Sequence, residues 1–154
     1  MWTNILKFIL ALLNREALPP VPKPAPVDRR EITNAKLMAL LKRRFPDANI
    51  RLSDNTTQLC DIADIEAFLK VDETNRVKYI AEQMDCDDFA FALLGQFSLP
   101  PWSGMAFGFI WSDLHAMNIC VDSNLDIWLI EPQNDSVKSE LEAWQGKTVV
   151  DVFI

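Results

Sequence analysis

The sequence predicts an α+β fold, helices packed on a small antiparallel sheet, and three observations carry that prediction. "MDCDDFAFALL", residues 84–94, has helical period with a cysteine at its head. "GMAFGFIWSDLHAMNICVDSNLDIWLIEPQ", residues 104–133, changes to the alternating period of strands. The 154 residues suit one domain, and an apolar fraction of 49 % with five Trp and nine Phe supplies a core.

The N-terminus reads as a separate piece. In "MWTNILKFILALLNREALPP" the residues Ile5, Leu6, Ile9, Leu12 and Leu13 fall on one helical face, opposite Thr3, Asn4, Lys7, Asn14 and Arg15. An amphipathic helix over 1–18 follows. Its apolar run is shorter than the roughly 20 residues a bilayer span takes. It has neither a charged n-region nor an A-x-A site, so it does not read as a secretory signal. Two roles stand open: docking on the body or a partner protein, or lying on a membrane surface with Trp2 and Lys7 at the interface. "PPVPKPAPV", residues 19–27, holds five prolines and reads as a semi-rigid linker. The globular domain is expected over 28–154, in a cytoplasmic or phage-associated protein.

Charge divides the same way. Residues 1–45 carry nine Lys/Arg against three Asp/Glu, and the remainder six against nineteen. So acidic a body argues against nucleic acid as a partner and suits a cationic substrate or a divalent cation. Three cysteines, Cys60, Cys86 and Cys120, make no disulfide framework, and no zinc-ligand spacing is present.

Within the body, "EITNAKLMALLKRRF" predicts a helix with Ile32, Leu37, Leu40 and Leu41 inward. Lys42, Arg43 and Arg44 suit its negative end, and Pro46 ends it. "CDIADIEAFLK" predicts a second, and 76–84 fits either helix or strand. In the third, Asp85 is the N-cap, and Asp87 and Asp88 occupy the first turn. Cys86, Phe89, Ala90, Leu93 and Leu94 form the stripe, and Gly95 is the expected stop. Cys86 thus heads a buried face at a helix start, where unpaired N–H groups favour the nucleophilic thiolate. The flanking aspartates oppose it, so a thiolate there needs a cationic partner. The chain has one histidine.

That histidine opens a strand. Strands are expected near 105–111, over 114–121 and over 125–131, with "DSN" as the turn. A three-residue loop, 122–124, pairs Val121 with Leu125 and, by counting, Ile119 with Ile127, Met117 with Leu129 and His115 with Glu131. A two-residue loop puts the apolar sets on opposite faces. The helix stripe is expected to pack on the hairpin's apolar face, the face of His115, Met117, Ile119 and Val121. Thiol, imidazole and carboxylate are then the parts of a Cys–His–acid triad. Cys60 and Cys120 read as small core residues.

"DCDDFA", "HAMNICV" and "IEPQ", in that order, resemble the papain-like C-terminal protease domain of the fairy-ring mushroom agglutinin and its bacterial and phage relatives, over about residues 75–135. The resemblance implies a papain-like fold with Cys86 as nucleophile, His115 as base and Glu131 as orienting acid. It offers Gln83 and Gln133 as oxyanion-hole candidates, and it raises calcium as a possible cofactor, although no EF-hand-like loop is present. Where the mushroom protein carries a sugar-binding β-trefoil, this sequence has the predicted helix and proline segment, so the resemblance does not imply a lectin function. The expected function is a cysteine protease or amidase acting on a peptide or protein. The alternatives are transglutaminase-like acyl transfer with the same triad, or a non-catalytic docking module of a phage or bacterial assembly.

Overall fold

The computed structural model describes residues 23–154. The expected N-terminal helix lies outside them. Six strands form the main sheet: β2 (Asn49–Arg51), β4 (Phe107–Ser112), β5 (Ala116–Val121), β6 (Ile127–Glu131), β7 (Ser136–Lys138) and β8 (Val149–Phe153). Their order is β2-β8-β4-β5-β6-β7, antiparallel except for the β2–β8 pair. β1 (Arg30–Thr33) and β3 (Thr56–Leu59) make a separate antiparallel ribbon. The helices are α1 (Asn34–Arg44), α2 (Ile62–Leu69) and α3 (Cys86–Phe97).

Helices cover both faces of the sheet. Leu37 and Leu41 of α1 share one core with Ile110, Met117, Ile119, Leu129 and Val152. Phe68 of α2 and Leu93 and Phe97 of α3 share the other with Phe107, Cys120 and Ile130. β5 is buried at all six positions, as befits a central strand covered on both sides. Stacking of Phe97 on Phe107, 3.7 Å between centroids, fixes the far end of α3. Gly108 permits the close approach of β8, since a Cβ there would meet Phe153 O at 2.0 Å.

Several expectations need correction. The first helix begins at Asn34, because Arg30–Thr33 pairs with β3 instead, with Ile32 opposite Thr57. α3 runs through Gly95, because burial of Phe97 outweighs the glycine's low propensity. The hairpin register is shifted by two: Val121 faces Ile127 and Ile119 faces Leu129. The Asp122 side chain causes the shift. Its Oδ1 accepts from the N–H groups of Asn124 and Asp126, which extends the loop to five residues with Leu125 at φ 68°. A shift of two keeps every side chain on its face. α3 packs on the opposite face of β5 from the one expected, against Ala116 and Cys120. β5 is apolar on both sides, so its alternation does not single out the helix-bearing face.

The described end of the proline segment lies on the body. Pro26 is buried, Pro24 O accepts from Trp102 Nε1 at 2.7 Å, and Lys23 Nζ donates to Asp72 Oδ1 at 2.6 Å and to Gln96 Oε1. Burial raises the Asp72 carboxyl's pKa, but hydrogen bonds from Lys23 and Thr74 outweigh that and hold it below its ordinary value. A depressed folded-state pKa stabilises above the unfolded value, near 4, and the contribution is lost as pH falls through the folded one. Lys23→Ala should therefore lower the melting temperature at pH 7 by roughly 5 °C, on the order of 1–2 kcal/mol for a half-exposed partner of a buried carboxylate. The deficit should narrow in melts below about pH 4; one that persists unchanged there would show the pair contributes nothing.

Candidate active site

Cys86 is the first residue of α3 and is half-buried. Its helix start is held by a capping box: the Asp85 side chain takes the Asp88 N–H, and Asp88 takes the Asp85 N–H at 3.2 Å. A hydrogen bond with the Asp85 side chain, and then burial, raises the Asp87 carboxyl above its usual range. Asp87, next to the thiol, thus holds its proton to higher pH than an isolated carboxylate does.

α3 runs alongside β5 in the same direction. Ala90 meets Ala116 and Phe109 near its start, and Phe97 meets Phe107 at its end. Cys86 packs against the Ala90–Phe109–Ala116 cluster, and His115 immediately precedes Ala116. The thiol and the imidazole therefore lie toward the same end of the sheet, although α3 covers the face of Ala116 and Cys120 rather than the face of Met117 and Leu129 to which His115 and Glu131 belong by parity. Among the described residues no hydrogen bond joins them. Asn118, fully buried on β5, donates to Ala90 O at 2.9 Å and Gly108 O at 3.0 Å, which fixes α3 along the strand.

His115 and Glu131 are joined directly. His115 Nε2 lies 2.7 Å from Glu131 Oε2, with both side chains buried. In the shifted register they are diagonal, not directly opposed, neighbours, still within side-chain reach. A carboxylate only accepts, so Nε2 carries the proton and Nδ1 is left as the basic nitrogen. Ser112 Oγ accepts the His115 N–H at 2.8 Å, and the Trp144 ring covers the imidazole edge-on at 4.8 Å.

Gln145 is missed by sequence reasoning. It is buried, and its Nε2 donates to Glu131 Oε2 at 3.0 Å. It lies in an aperiodic stretch 14 residues beyond Glu131, so no pattern announces it. Gln133 donates its N–H to Glu131 Oε1 at 3.3 Å. Gln83 is exposed, and its N–H closes a turn onto Ile80 O. Beyond Phe109, Phe91, Trp111 and Phe153 line an open groove of about 450 Å³.

The calcium implied by the resemblance takes six to eight oxygen ligands. Asp85, Cys86 and Asp87 bring three ligand atoms within 4.8 Å of one another, but one is sulfur and Asp85 is engaged in capping. Asn75 Oδ1 and Asp135 Oδ1 are buried without partners, yet the nearby Asp72 is already paired with Lys23. Neither group makes a calcium cage.

No protein-family model matches the chain, and none of the curated proteins does. Among solved structures it is similar to the PSL1a–E64 complex, with TM-score 0.68 and 21% identity over 80% of this chain and 50% of that one. It is also similar to Polyporus squamosus lectin bound to a human-type influenza-binding epitope, with TM-score 0.62 and 19% identity over 78% and 49%. The chain spans about half the length of these proteins. The likeness establishes the fold, an α+β arrangement of three helices and a mostly antiparallel sheet shared with PSL1a. Among the described residues no helix is long and apolar enough to cross a membrane.

Two predictions follow from this geometry. Burial first, and then Asp64 and Asp61, push the Cys60 thiol up to about 12, and burial pushes Cys120 well above its ordinary value. Iodoacetamide at pH 6 should modify Cys86 well before either, and equal rates by peptide mapping would remove the case for an activated thiol. Asp135 ends the turn that leaves Glu131, at φ 59°, and accepts from Asn75 Nδ2. Burial and then Asp72 raise its carboxyl to about 6. A raised acid is neutral in both states below the unfolded value near 4, and it loses stability as pH climbs through the folded one. Asp135→Asn keeps an acceptor and tolerates the positive φ. It should raise the melting temperature at pH 8 and leave it unchanged at pH 3.5.

Proposed function

We propose that the chain is a papain-like cysteine hydrolase that cleaves peptide or amide bonds, with Cys86 as nucleophile, His115 as general base and acid, and Glu131 as orienting acid. The observation that carries this reading is the buried His115–Glu131 pair, which ties up Nε2 and leaves Nδ1 as the proton acceptor at the end of the sheet where Cys86 starts its helix. The likeness to PSL1a supports it: that protein was bound to E64, an inhibitor, and its complex implies a papain-like cysteine protease domain.

In this reading His115 Nδ1 takes the thiol proton, and Cys86 Sγ attacks the scissile carbonyl carbon. The Cys86 N–H, in a first turn with no intrahelical acceptor, stabilises the oxyanion together with a side chain such as Gln83 or Gln133. Collapse expels the amine, which leaves with the proton from His115, and a thioester remains on Cys86. Water then gives its proton to His115 and attacks the thioester, releasing the acid and restoring the thiol. Glu131 keeps the ring in the productive tautomer and stabilises the imidazolium of both half-reactions. The groove of Phe91, Trp111 and Phe153 offers an adjoining apolar surface for a substrate side chain. No step passes through calcium.

Mass spectrometry should find one E64 adduct, on Cys86, and none in Cys86→Ser. Glu131→Gln keeps the shape and removes the charge. It should lower peptide hydrolysis by roughly 10²-fold or more and move the His115 titration to lower pH, with the fold intact. An unmoved titration and an unmoved rate together would overturn the roles assigned to both residues. Incorporation of a labelled amine in preference to water would reassign the reaction to acyl transfer with the same triad.

A further inference from the structure

We infer that Gln145 is a positioning residue that holds both members of the His115–Glu131 pair; the inference rests on the hydrolase reading only for its effect on rate. The side chain takes care of Glu131. Gln145 Nε2 donates to Glu131 Oε2, the same oxygen that faces His115 Nε2, while Gln133 N–H occupies Oε1. The carboxylate is thereby held by donors on both oxygens and cannot rotate away from the ring without breaking a buried bond. The orientation of the amide is itself settled: Gln145 Oε1 accepts the Glu142 N–H at 3.0 Å, so only the NH₂ end can face Glu131.

The backbone of the same residue takes care of His115. Gln145 O accepts from the Ser112 hydroxyl, whose oxygen receives the N–H groups of Leu114 and His115 at 3.1 and 2.8 Å. The turn that launches the imidazole from β4 into β5 is thus tied to the residue that holds the carboxylate. Gly146 makes the closeness possible. At φ 111° it takes a conformation few other residues adopt, and a Cβ there would meet Asp113 Oδ1 at 2.4 Å and Ser112 Oγ at 2.8 Å. Asp113 Oδ1 then accepts the N–H groups of Lys147 and Thr148 and pins the segment on its far side. A glutamine present only to fill space needs none of these bonds, and its carboxamide is nearly fully used. Orienting groups of this kind set the geometry of the reacting ones, and small displacements there cost up to about 10²-fold in rate.

The test uses the single histidine as its reporter. Its ring nitrogens are followed by NMR across pH in the full chain, wild type, Gln145→Leu and Gln145→Glu, with Cys86 alkylation by iodoacetamide and peptide hydrolysis measured alongside. Gln145→Leu removes the donor. The His115 titration should move to lower pH, and alkylation at pH 6 and hydrolysis should each fall roughly tenfold or more. Gln145→Glu carries a donor only while its carboxyl is protonated. It should behave as wild type at low pH and lose both activities as pH rises, a limb that neither wild type nor Gln145→Leu shows. If Gln145→Leu does not fold, the pH limb of Gln145→Glu decides. Wild-type profiles in both variants would overturn the inference. A ring titration that moves in Gln145→Leu, in a protein without thiol reactivity or hydrolysis, supports the positioning role and overturns the hydrolase reading alone.

Discussion

The arrangement depends first on one buried amide. Asn118 sits at the centre of the sheet with no exposure, and its two donors reach Ala90 O on the helix and Gly108 O on the neighbouring strand. Ala90 and Ala116 are small enough to let the backbones approach, and without a polar tie such a smooth contact would allow the helix to slide. The amide removes that freedom, because a helix moved along the strand leaves the donor that meets Ala90 O buried without its acceptor. Its own Oδ1 stays unpartnered. The position of Cys86 is therefore set four residues away, inside the protein, rather than by anything at the surface.

The other half of the site is set by loops, and their chemistry is equally local. β4 shifts register against β8 between Trp111 and Ser112, and the chain turns back onto β5 where the Ser112 N–H donates to His115 O and the His115 N–H donates to Ser112 Oγ. β6 ends at Glu131, and Asn134 and Asp135 both donate to Glu131 O in the turn that follows. The sheet supplies parallel tracks, and short hydrogen-bonded turns at one end aim the polar side chains. That division leaves the polar side chains of the candidate site on turns at one end of a rigid sheet.

How much of this was legible follows from how local each signal is. The helix headed by Cys86 and both hairpin strands carry their own periods, and the face shared by His115 and Glu131 follows from parity, which a two-residue register shift leaves intact. The burial of Cys60 and Cys120 was visible in their apolar settings. The five-residue loop was not, because its extra length comes from bonds made by the Asp122 side chain rather than from a turn motif. The face of β5 that receives α3 was hidden by burial on both sides. The β2–β8 pairing joins segments about a hundred residues apart, each too short to show a period. Gln145 depends on the same long-range closure, since its place beside Glu131 exists only once β8 has docked next to β4.

The point where the chain enters the body also orients the molecule. Lys23 is moored to Asp72 and to Gln96, and Gln96 stands ten residues along α3 from Cys86. At 1.5 Å of rise per residue that is about 15 Å of helix. Lys23 is thus held at the opposite end of α3 from the Cys86 thiol. A probe placed at position 23 would therefore report from the far end of α3, separated from Cys86 by the length of the helix.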